Sequence, residues 1–284
     1  MHGDSRPVID VLLATYRAES NMLADQIRSI DAQRDVVVNL ISREDVNGVG
    51  ACANFSALLE KSTARYTAFA DQDDVWNEDK LVKSLEKLKE LEHVYGEDTP
   101  LLVFIDAKVV DADLHELDDS LFSRTKIDPK RIKPRQLILQ NVANGNTMLI
   151  NESLRRLAAP IPKEAVMHDH WVMLVASVFG RIAYIPSAML LYRQHGGNVF
   201  GGAKVDFNYY HRRVMQGINV MRCRLYHNFR QAEAFALRYP DSPDCVKACI
   251  GFERQNWFVR RWLLMRHRIF KNGFIRNLGT FLLV

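Results

Sequence analysis

The sequence predicts an α/β fold, with a sheet connected by helices, followed by a helical C-terminal region. Over the first half of the chain, short apolar runs alternate with amphipathic helical patterns, which is typical of strands joined by helices. Two of the apolar runs end at an acidic residue, Asp71 and Asp106. From Asp206 onward only helical patterns remain, so an organisational boundary is expected near Gly201 and Gly202.

The elements follow in chain order. The predicted strands are residues 8–15, 36–42, 66–70, 101–105, 147–150, 182–185 and 189–192. The predicted helices of this part are residues 21–32, 53–62, a helix N-capped by Asn77, and residues 170–179. The polar segment 111–135 is expected to cross the edge of the sheet. The predicted division is a catalytic domain over residues 1–202 and a helical region over residues 203–284.

Composition excludes several classes of protein. The 284 residues are 48% hydrophobic and 25% charged, an ordinary globular composition that excludes collagenous, disordered and disulfide-scaffold proteins. The four cysteines are few and unevenly spaced, so we expect reduced thiols in a cytoplasmic protein. The apolar run over residues 8–14 is short and contains Asp10, which argues against a signal peptide. No apolar run reaches the length of about 18 residues that spans a bilayer.

Three carboxylates lie within four positions directly after the strand over residues 66–70: Asp71, Asp73 and Asp74. Carboxylates this close repel one another unless a positive charge lies among them, and a divalent cation with oxygen ligands usually supplies it. Open α/β sheets also bind their ligands at the carboxyl ends of strands. We therefore predict a metal and diphosphate site here; the alternative is an acidic turn that caps the next helix.

Two further clusters carry groups with useful chemistry. In the segment His168-Asp169-His170-Trp171, a carboxylate flanked by imidazoles could act as a general base, or Asp169 could simply be an N-cap. In residues 192–198, Arg193 and His195 suit phosphate oxygens, and a glycine pair permits loop closure. The alternative for this last segment is a glycine-rich hinge between subdomains.

Taken together and in this order, the clusters resemble glycosyltransferase family 2, whose members are inverting enzymes with the GT-A fold. The matching segments are residues 8–16, 47–55, 71–76, 144–148, 168–171 and 192–199. The form Asp-Gln-Asp-Asp-Val-Trp of the Asp-x-Asp motif resembles that of bacterial rhamnosyl- and galactosyltransferases for surface polysaccharides. The resemblance covers residues 8–202 and implies a Rossmann-like GT-A domain with a mixed central sheet that binds a nucleotide sugar.

The resemblance implies a role for each matching residue. Asp71 and Asp73 would bind Mn²⁺ or Mg²⁺, with His195 as a further ligand, and Asp169 would be the catalytic base. The implied nucleotide-sugar contacts are Thr15, Tyr16, Arg17, Asn54, Asp71, Gln72 and Arg193. The implied acceptor contacts are Gly145, Asn146, His170 and Trp171. The implied partners are a UDP- or dTDP-sugar donor and a glycan or lipid-linked acceptor, as in O-antigen or capsule-like (lipopolysaccharide) synthesis.

One segment departs from the family pattern. The family has a second strand that ends in an Asp-Asp-Gly-Ser-like turn, whose first carboxylate reads the nucleotide base. Here the strand over residues 36–42 ends only a few residues before the segment that begins at Asn47, so it resembles the family's third strand. The family's second strand therefore has no counterpart in this sequence. Either Glu44 or Asp45 substitutes, or the nucleotide is held mostly by its diphosphate, or the protein is catalytically silent.

Aromatic and basic residues interleave in the C-terminal region. Residues 251–284 contain seven Lys or Arg and one acid, Glu253, which gives a net charge of +6. Such helices suit an anionic membrane surface, so we predict peripheral association at the inner face of the cytoplasmic membrane. Packing onto the catalytic domain and homo-oligomer formation are the alternatives. Nucleic acid is not an expected partner, because no recognisable binding module is present.

Two other functions remain open. Residues 66–75 also fit the strand and Asp-x-Asp-x-Val motif of a haloacid dehalogenase-like phosphohydrolase, with Asp71 as nucleophile. A convincing downstream lysine and acidic metal pair for that chemistry are not found. A catalytically silent binding or scaffold protein with the GT-A fold is the other alternative, motivated by the missing second strand.

Overall fold

The computed structural model describes residues 6–194 and 204–284. Its strands are β1 (Val8–Thr15), β2 (Val37–Glu44), β3 (Tyr66–Ala70), β4 (Val75–Trp76), β5 (Leu101–Val110), β6 (Glu116–Asp118), β7 (Met148–Asn151) and β8 (Arg181–Arg193). Its first helices are α1 (Ser20–Asp31), α2 (Ala51–Lys61), α3 (Lys80–Tyr95), α4 (Leu121–Thr125), α5 (Pro134–Leu137), α6 (Glu152–Ala158) and α7 (His168–Phe179). The later helices are α8 (Phe207–Met215), α9 (Ile218–Arg238), α10 (Asp244–Lys247), α11 (Trp257–Arg266) and α12 (Phe274–Leu283).

The eight described strands form one mixed sheet. Seven of them follow the order β2-β1-β3-β7-β5-β8-β4, and β6 pairs with β5. Strand β1 runs parallel to β2 and β3, and β5 runs parallel to β8. Strand β7 is antiparallel to both of its neighbours, β3 and β5. The predicted α/β class with a mixed sheet and a helical C-terminal region is therefore confirmed.

The sheet carries an apolar core on each face. Alternate side chains of β1 point to opposite faces: Ile9, Val11 and Leu13 pack in the cluster that includes α1 and α3, whereas Leu12 packs with α2 and α7. Helix α9 joins the second of these cores, in which Phe235 contacts Trp171 with ring centroids 5.3 Å apart. The C-terminal helices are therefore part of the same packed body as the sheet.

The parallel strands determine where the predicted motifs emerge. Thr15 is in register with Glu44, and Leu13 is in register with Ala70. Because β1, β2 and β3 run in the same direction, their carboxyl ends meet at one edge of the sheet. We call this the carboxyl edge. The residues that follow the three strands, among them Tyr16, Asp45 and Asp71, therefore leave the sheet side by side.

Two predicted strand boundaries are wrong. Strand β5 does not end at Asp106 but continues to Val110. Its buried carboxylate at Asp106 is tolerated because it accepts hydrogen bonds from Ser120 Oγ (2.6 Å) and the Leu121 N–H (3.1 Å). The predicted pair of strands over residues 182–192 is one strand, β8. Its register against β5 jumps from Ile105–Ile185 to Asp106–Ala188, so Pro186 lies in a bulge where no ladder hydrogen bond is needed.

The predicted start of α3 is also displaced. The helix begins at Lys80 after Asp79, not after Asn77. The Asn77 N–H donates to the Met189 carbonyl (3.0 Å), which continues the pairing of β4 with β8 and delays the helix. The two-residue strand β4 is too short for its sequence pattern to predict.

The polar excursion contains β6, α4 and α5, and its first part pairs with β5. The predicted domain boundary at Gly201 and Gly202 lies outside the described residues. All four cysteines are free. Among the described residues, no helix is both long enough and apolar enough to cross a membrane.

Candidate active site

The turn between β3 and β4 carries the acidic motif Asp71–Asp74 at the carboxyl edge. Gln72 connects this motif to the turn after β1, because the Tyr16 N–H donates to Gln72 Oε1 (2.7 Å) and Gln72 Nε2 donates to the Tyr16 carbonyl (3.2 Å). The Tyr16 ring is exposed, and the Arg17 guanidinium carbon lies 5.2 Å from its centroid. The predicted nucleotide contacts Tyr16, Arg17 and Gln72 therefore lie together with the acidic motif.

Asp74 joins three of the predicted motifs. Its side chain is 1% exposed and accepts hydrogen bonds from Asn146 Nδ2 and from the Arg193 N–H (3.2 Å). Asn146 belongs to the 3-10 turn Gly145–Thr147, and Arg193 ends β8. The Arg193 guanidinium donates to the Ala112 carbonyl (2.7 Å) and pairs with Asp25 (3.0 Å), so the predicted phosphate contact is a buried internal ion pair. Sequence reasoning considered Asp74 as a metal-site carboxylate or as a cap of the next helix and did not foresee this junction.

Lys80 places a buried amino group close to the acidic motif. Its side chain is 1% exposed, and its Nζ lies 3.2 Å from the centroid of the Trp76 ring. Burial lowers the pKa of Lys80 well below its ordinary value, although the Asp74 and Asp71 carboxylates act in the opposite direction. Sequence reasoning missed Lys80, because a lysine in the first turn of an amphipathic helix normally lies in solvent.

The carboxyl edge concentrates negative charge. Burial raises the pKa of Asp71 well above its ordinary value, and the nearby carboxylates of Asp74, Asp73 and Asp169 raise it further. Burial and the Asp73 carboxylate raise the pKa of Asp74 to about 7, against its hydrogen bonds from Asn146 and Arg193. A bound divalent cation would offset the repulsion among these carboxylates, and their oxygen atoms are suitable ligands for it. The predicted third ligand, His195, lies outside the described residues.

A separate group of possible metal ligands lies in the turn between β5 and β6. Among the described residues, Asp111, Asp113 and His115 form the group of three whose ligand atoms all lie within 4.8 Å of one another. The Asp111 carboxylate accepts hydrogen bonds from the N–H groups of His115 and Asp113 (both 2.9 Å), and the bond from His115 is the main reason that its pKa is lowered. These bonds account for the shape of the turn. The sequence analysis did not single out this group.

Asp169 is the second residue of α7 and is 9% exposed. One carboxylate oxygen accepts a hydrogen bond from the His170 N–H (2.6 Å), and the other accepts one from the Gly145 N–H (3.2 Å). Burial raises the pKa of Asp169 to about 7 in spite of these donors. Burial and the Asp169 charge also raise the pKa of Cys52 to about 12, which indicates that the first turn of α2 lies near this carboxylate. A carboxylate with a pKa of about 7 can accept a proton near neutral pH.

His168 fills the space beside Gly145. Its ring stacks on Phe55 with centroids 3.8 Å apart, and it is 4% exposed. Neither ring nitrogen has a hydrogen-bond partner among the described residues. Burial lowers the pKa of His168 to about 3, so the ring is neutral. A Cβ atom on Gly145 would overlap His168 Nε2, so this position requires glycine.

Three predicted ligand contacts have internal partners instead. His170 Nε2 donates to the Leu137 carbonyl (2.5 Å), and Trp171 Nε1 donates to the Ala158 carbonyl (3.0 Å). Asn54 Nδ2 donates to the Arg43 carbonyl (3.1 Å). All three side chains are buried, and the structure does not bring them to the open side of the carboxyl edge. Their contacts with donor or acceptor stay predictions.

Strand β2 pairs directly with β1, and the residues after it are the candidates to replace the carboxylate that reads the nucleotide base in the family. Asp45 follows β2 and is buried, and its carboxylate accepts hydrogen bonds from the N–H groups of Gly50 (2.8 Å) and Val49 (2.9 Å). Burial opposes its ionisation, but these donors outweigh that effect and lower the pKa of Asp45. Asp45 therefore stabilises the loop before α2, whereas Glu44 is exposed.

Comparison with known proteins gives a likeness in structure only. No family model and no curated protein matches the chain. The structure of S. aureus TarS residues 1–349 superposes with a TM-score of 0.53 at 12% identity, over 91% of this chain and 80% of that one. Its complex with UDP gives 0.52 at 13% identity over 92% and 72%. Its complex with UDP-GlcNAc gives 0.51 at 12% identity over 96% and 89%.

TarS is a GT-A-type glycosyltransferase. At identities this low the likeness concerns the fold. The chain therefore has the mixed α/β GT-A fold that the sequence predicted.

Proposed function

We propose that the protein is an inverting, metal-dependent glycosyltransferase that moves a sugar from a nucleoside diphosphate to an acceptor hydroxyl. One observation carries the proposal: a single turn binds both carboxylates. The Gly145 N–H donates to Asp169, and the Asn146 side chain donates to Asp74 of the acidic motif. A carboxylate cluster suited to a cation and a buried carboxylate with a pKa of about 7 are thereby fixed on either side of one short turn. The GT-A fold supports a nucleotide-sugar site at this edge.

On the donor side, the exposed ring of Tyr16 would stack on the nucleotide base, because Gln72 fixes the backbone of Tyr16 at the edge. Thr15 and Arg17 flank that ring, and Arg17 would contact a phosphate. TarS has been solved with UDP and with UDP-GlcNAc, which supports a uridine nucleotide as the first candidate donor. A dTDP-sugar is the second.

Asp71 and Asp73 are the residues that would hold Mn²⁺ or Mg²⁺. The bound cation supplies charge stabilisation to the departing diphosphate. The raised pKa of Asp71 supports this assignment, because a cation among these carboxylates relieves the repulsion that burial strengthens. The carboxylates of Asp74 and Asp71 in turn favour the protonated form of Lys80, although burial opposes it.

On the acceptor side, Asp169 would take the proton of the acceptor hydroxyl while its oxygen attacks the anomeric carbon. The bond to the diphosphate oxygen breaks as the new bond forms on the opposite face, so the anomeric configuration is inverted. A single base is sufficient, and a covalent intermediate is not required. The N–H groups of His170 and Gly145 hold both oxygens of Asp169 in a fixed direction, which favours proton transfer.

The acceptor is a glycan or lipid-linked sugar in this proposal. Its support is the resemblance of the acidic motif to that of bacterial rhamnosyl- and galactosyltransferases for surface polysaccharides. In this proposal the enzyme acts in O-antigen or capsule-like synthesis.

The test is calorimetric binding of UDP, dTDP and GDP, each with and without Mn²⁺, to the wild-type protein and to Asp73→Ala. We expect one nucleotide to bind in a metal-dependent way and to lose that binding in the variant. Asp79→Ala is the matched control, because Asp79 is a nearby carboxylate whose ion pair with Lys83 is solvent-exposed. Binding that is unchanged in Asp73→Ala would remove the metal assignment.

A catalytically silent protein with the same fold is the second candidate. The observation in its favour is Asp45, whose carboxylate is engaged by the loop before α2 and is not directed at a nucleotide base. If none of the three nucleotides binds to folded protein, this candidate replaces the first. Release of phosphate from a phosphomonoester would instead support a phosphohydrolase.

A further inference from the structure

Helices α11 and α12 expose large apolar side chains that share one region of the surface. Each of these side chains is between 49% and 80% exposed. They are Trp257, Phe258, Trp262 and Met265 on α11 and Phe274, Ile275, Leu278 and Leu282 on α12. We call this set the apolar face. Single exposed apolar residues are common on proteins, but a group of this size indicates an interaction surface.

Within each helix, members of the apolar face recur at helical spacing. Phe258 and Trp262 are four residues apart and form a stripe on α11, while Phe274, Leu278 and Leu282 repeat every four residues along α12.

Arg261 joins the two helices. Its guanidinium carbon lies 4.9 Å from the centroid of the Trp257 ring and 5.6 Å from that of Phe281, and it donates to the Val284 carbonyl (2.9 Å). The start of α11 therefore lies beside the end of α12, as in a helical hairpin.

The segment that carries the apolar face is rich in positive charge. Residues 251–284 contain seven Lys or Arg against one acid, Glu253. Glu253 is neutralised by Arg230, which donates two hydrogen bonds to its carboxylate (2.6 and 2.9 Å). Arg254, Arg266 and Arg268 are exposed. The region therefore combines exposed apolar side chains with a net positive charge.

We infer that the apolar face inserts into the headgroup region of a bilayer that contains anionic lipids. Trp257 and Trp262 suit this depth because the indole ring is apolar and its N–H can reach water or a headgroup. The arginines would extend toward lipid phosphates. A second copy fits less well, because symmetric pairing would bring two strongly cationic surfaces together.

Contacts tie this face to the acceptor side of the carboxyl edge. The Asn272 N–H donates to Gln140 Oε1 (2.7 Å), and Arg131 donates to the Phe270 carbonyl (2.7 Å). Residues 131–140, which make both contacts, also accept the bond from His170, the neighbour of Asp169, at the Leu137 carbonyl. A bilayer on the apolar face would therefore bind to helices that are connected through residues 131–140 to the helix of Asp169, which suits a lipid-linked acceptor; this step rests on the proposed function.

The experiment is flotation of the full chain with vesicles of phosphatidylcholine alone and of phosphatidylcholine with an equal part of phosphatidylglycerol. We expect binding to the anionic vesicles and little to the neutral ones, with a loss of binding as salt rises. Phe258→Ser/Trp262→Ser should lower the partition coefficient about tenfold or more, because two large apolar groups no longer leave water. Phe274→Ser/Leu278→Ser tests the other helix independently.

Val94→Ser/Leu237→Ser is the matched control, since both residues are equally exposed but lie on α3 and α9. Circular dichroism checks that every variant is folded. Equal binding by the apolar-face variants and the control, or no binding to anionic vesicles, overturns the inference. Loss of a wild-type dimer in those variants without vesicle binding would make a second copy the occupant. UDP binding is measured in parallel, so nucleotide binding without vesicle binding refutes this inference alone.

Discussion

The carboxyl edge and the apolar face depart in opposite ways from the usual pattern of buried apolar and exposed charged side chains. At the carboxyl edge, ionisable side chains such as Asp74, Lys80 and Asp169 are buried. On the apolar face, tryptophan, phenylalanine and leucine side chains lie in water. Neither arrangement favours stability, because buried charges and exposed apolar groups both carry unfavourable solvation free energies. Regions of this kind are where a function is expected.

The two regions differ in what offsets these unfavourable solvation free energies. At the carboxyl edge the chain supplies the compensation itself: Asp74 accepts from Asn146 and Arg193, and Asp169 accepts from two backbone N–H groups. On the apolar face, the exposed side chains have no covering element within the described part of the chain. The first region is therefore preorganised for chemistry, and the second depends on something outside the chain. Substitutions should consequently act on catalysis in one region and on association in the other.

The largest expected effect comes from Asp169→Asn. The amide keeps the size of the side chain but cannot take the proton of the acceptor, so transfer should fall about 100-fold or more. Nucleotide binding should stay near the wild-type affinity, because Asp169 lies on the acceptor side of the turn. Sugar transfer and calorimetry on the same preparation measure the two quantities.

The pH dependence supplies the control for this substitution. Burial raises the pKa of Asp169 to about 7, so the proton is bound below that pH and the base is lost. For the wild type, kcat/KM should therefore fall at least tenfold for each pH unit below about 7, and Asp169→Asn should lose the part of this dependence that Asp169 supplies. Any dependence that is left belongs to the acidic motif, where the pKa of Asp74 is also raised to about 7. Asp98→Asn, at an exposed carboxylate, should keep the wild-type profile. A normal rate in Asp169→Asn would remove this residue from the mechanism.

Parts of the fold and site that depend on local sequence could be predicted. The bounds of β1 and β3 are those expected from their apolar runs, and the placement of the acidic motif after β3 follows from strand direction. The GT-A fold was implied by the order of several motifs, each of which is weak alone. These features depend on short stretches of sequence, which a pattern can display.

The features that could not be predicted depend on long-range contacts. Lys80 is buried because β4 pairs with β8 and brings the Trp76 ring over its Nζ. Asp74 becomes the junction of three motifs through residues 72 and 119 positions further along the chain. The internal bonds of His170 and Trp171 likewise depend on how α5 and α6 pack on α7. No periodicity in the sequence encodes these distances.

Gly145→Ala should have a smaller effect on transfer than Asp169→Asn. The added methyl group overlaps His168 Nε2, and stacking on Phe55 prevents this ring from moving aside. Overpacking of this kind should reduce the free energy of unfolding by about 1–3 kcal/mol. Because the Gly145 N–H also holds Asp169, transfer should fall about tenfold. Denaturant unfolding and transfer assays measure the two losses.

The double variant Gly145→Ala/His168→Ala tests the cause of that loss. Removal of the imidazole opens the space that the new methyl group needs, so the two substitutions should not be additive. A double variant that is destabilised by the full sum of both single effects would show that the overlap with His168 is not responsible.

The smallest effect is expected at Gly279, in the interior of α12, and it has the opposite sign. A Cβ atom there meets no atom within 4 Å, so the methyl group of alanine creates no overlap. Since glycine in a helix loses more backbone entropy on folding than alanine, Gly279→Ala should increase the free energy of unfolding by about 0.5–1 kcal/mol. Transfer and vesicle flotation should stay unchanged, because neither the carboxyl edge nor the apolar face loses a group. The same chemical change would thus destabilise the protein at Gly145 and stabilise it at Gly279, whereas destabilisation at both glycines would mean that α12 is packed as tightly as the turn at Gly145.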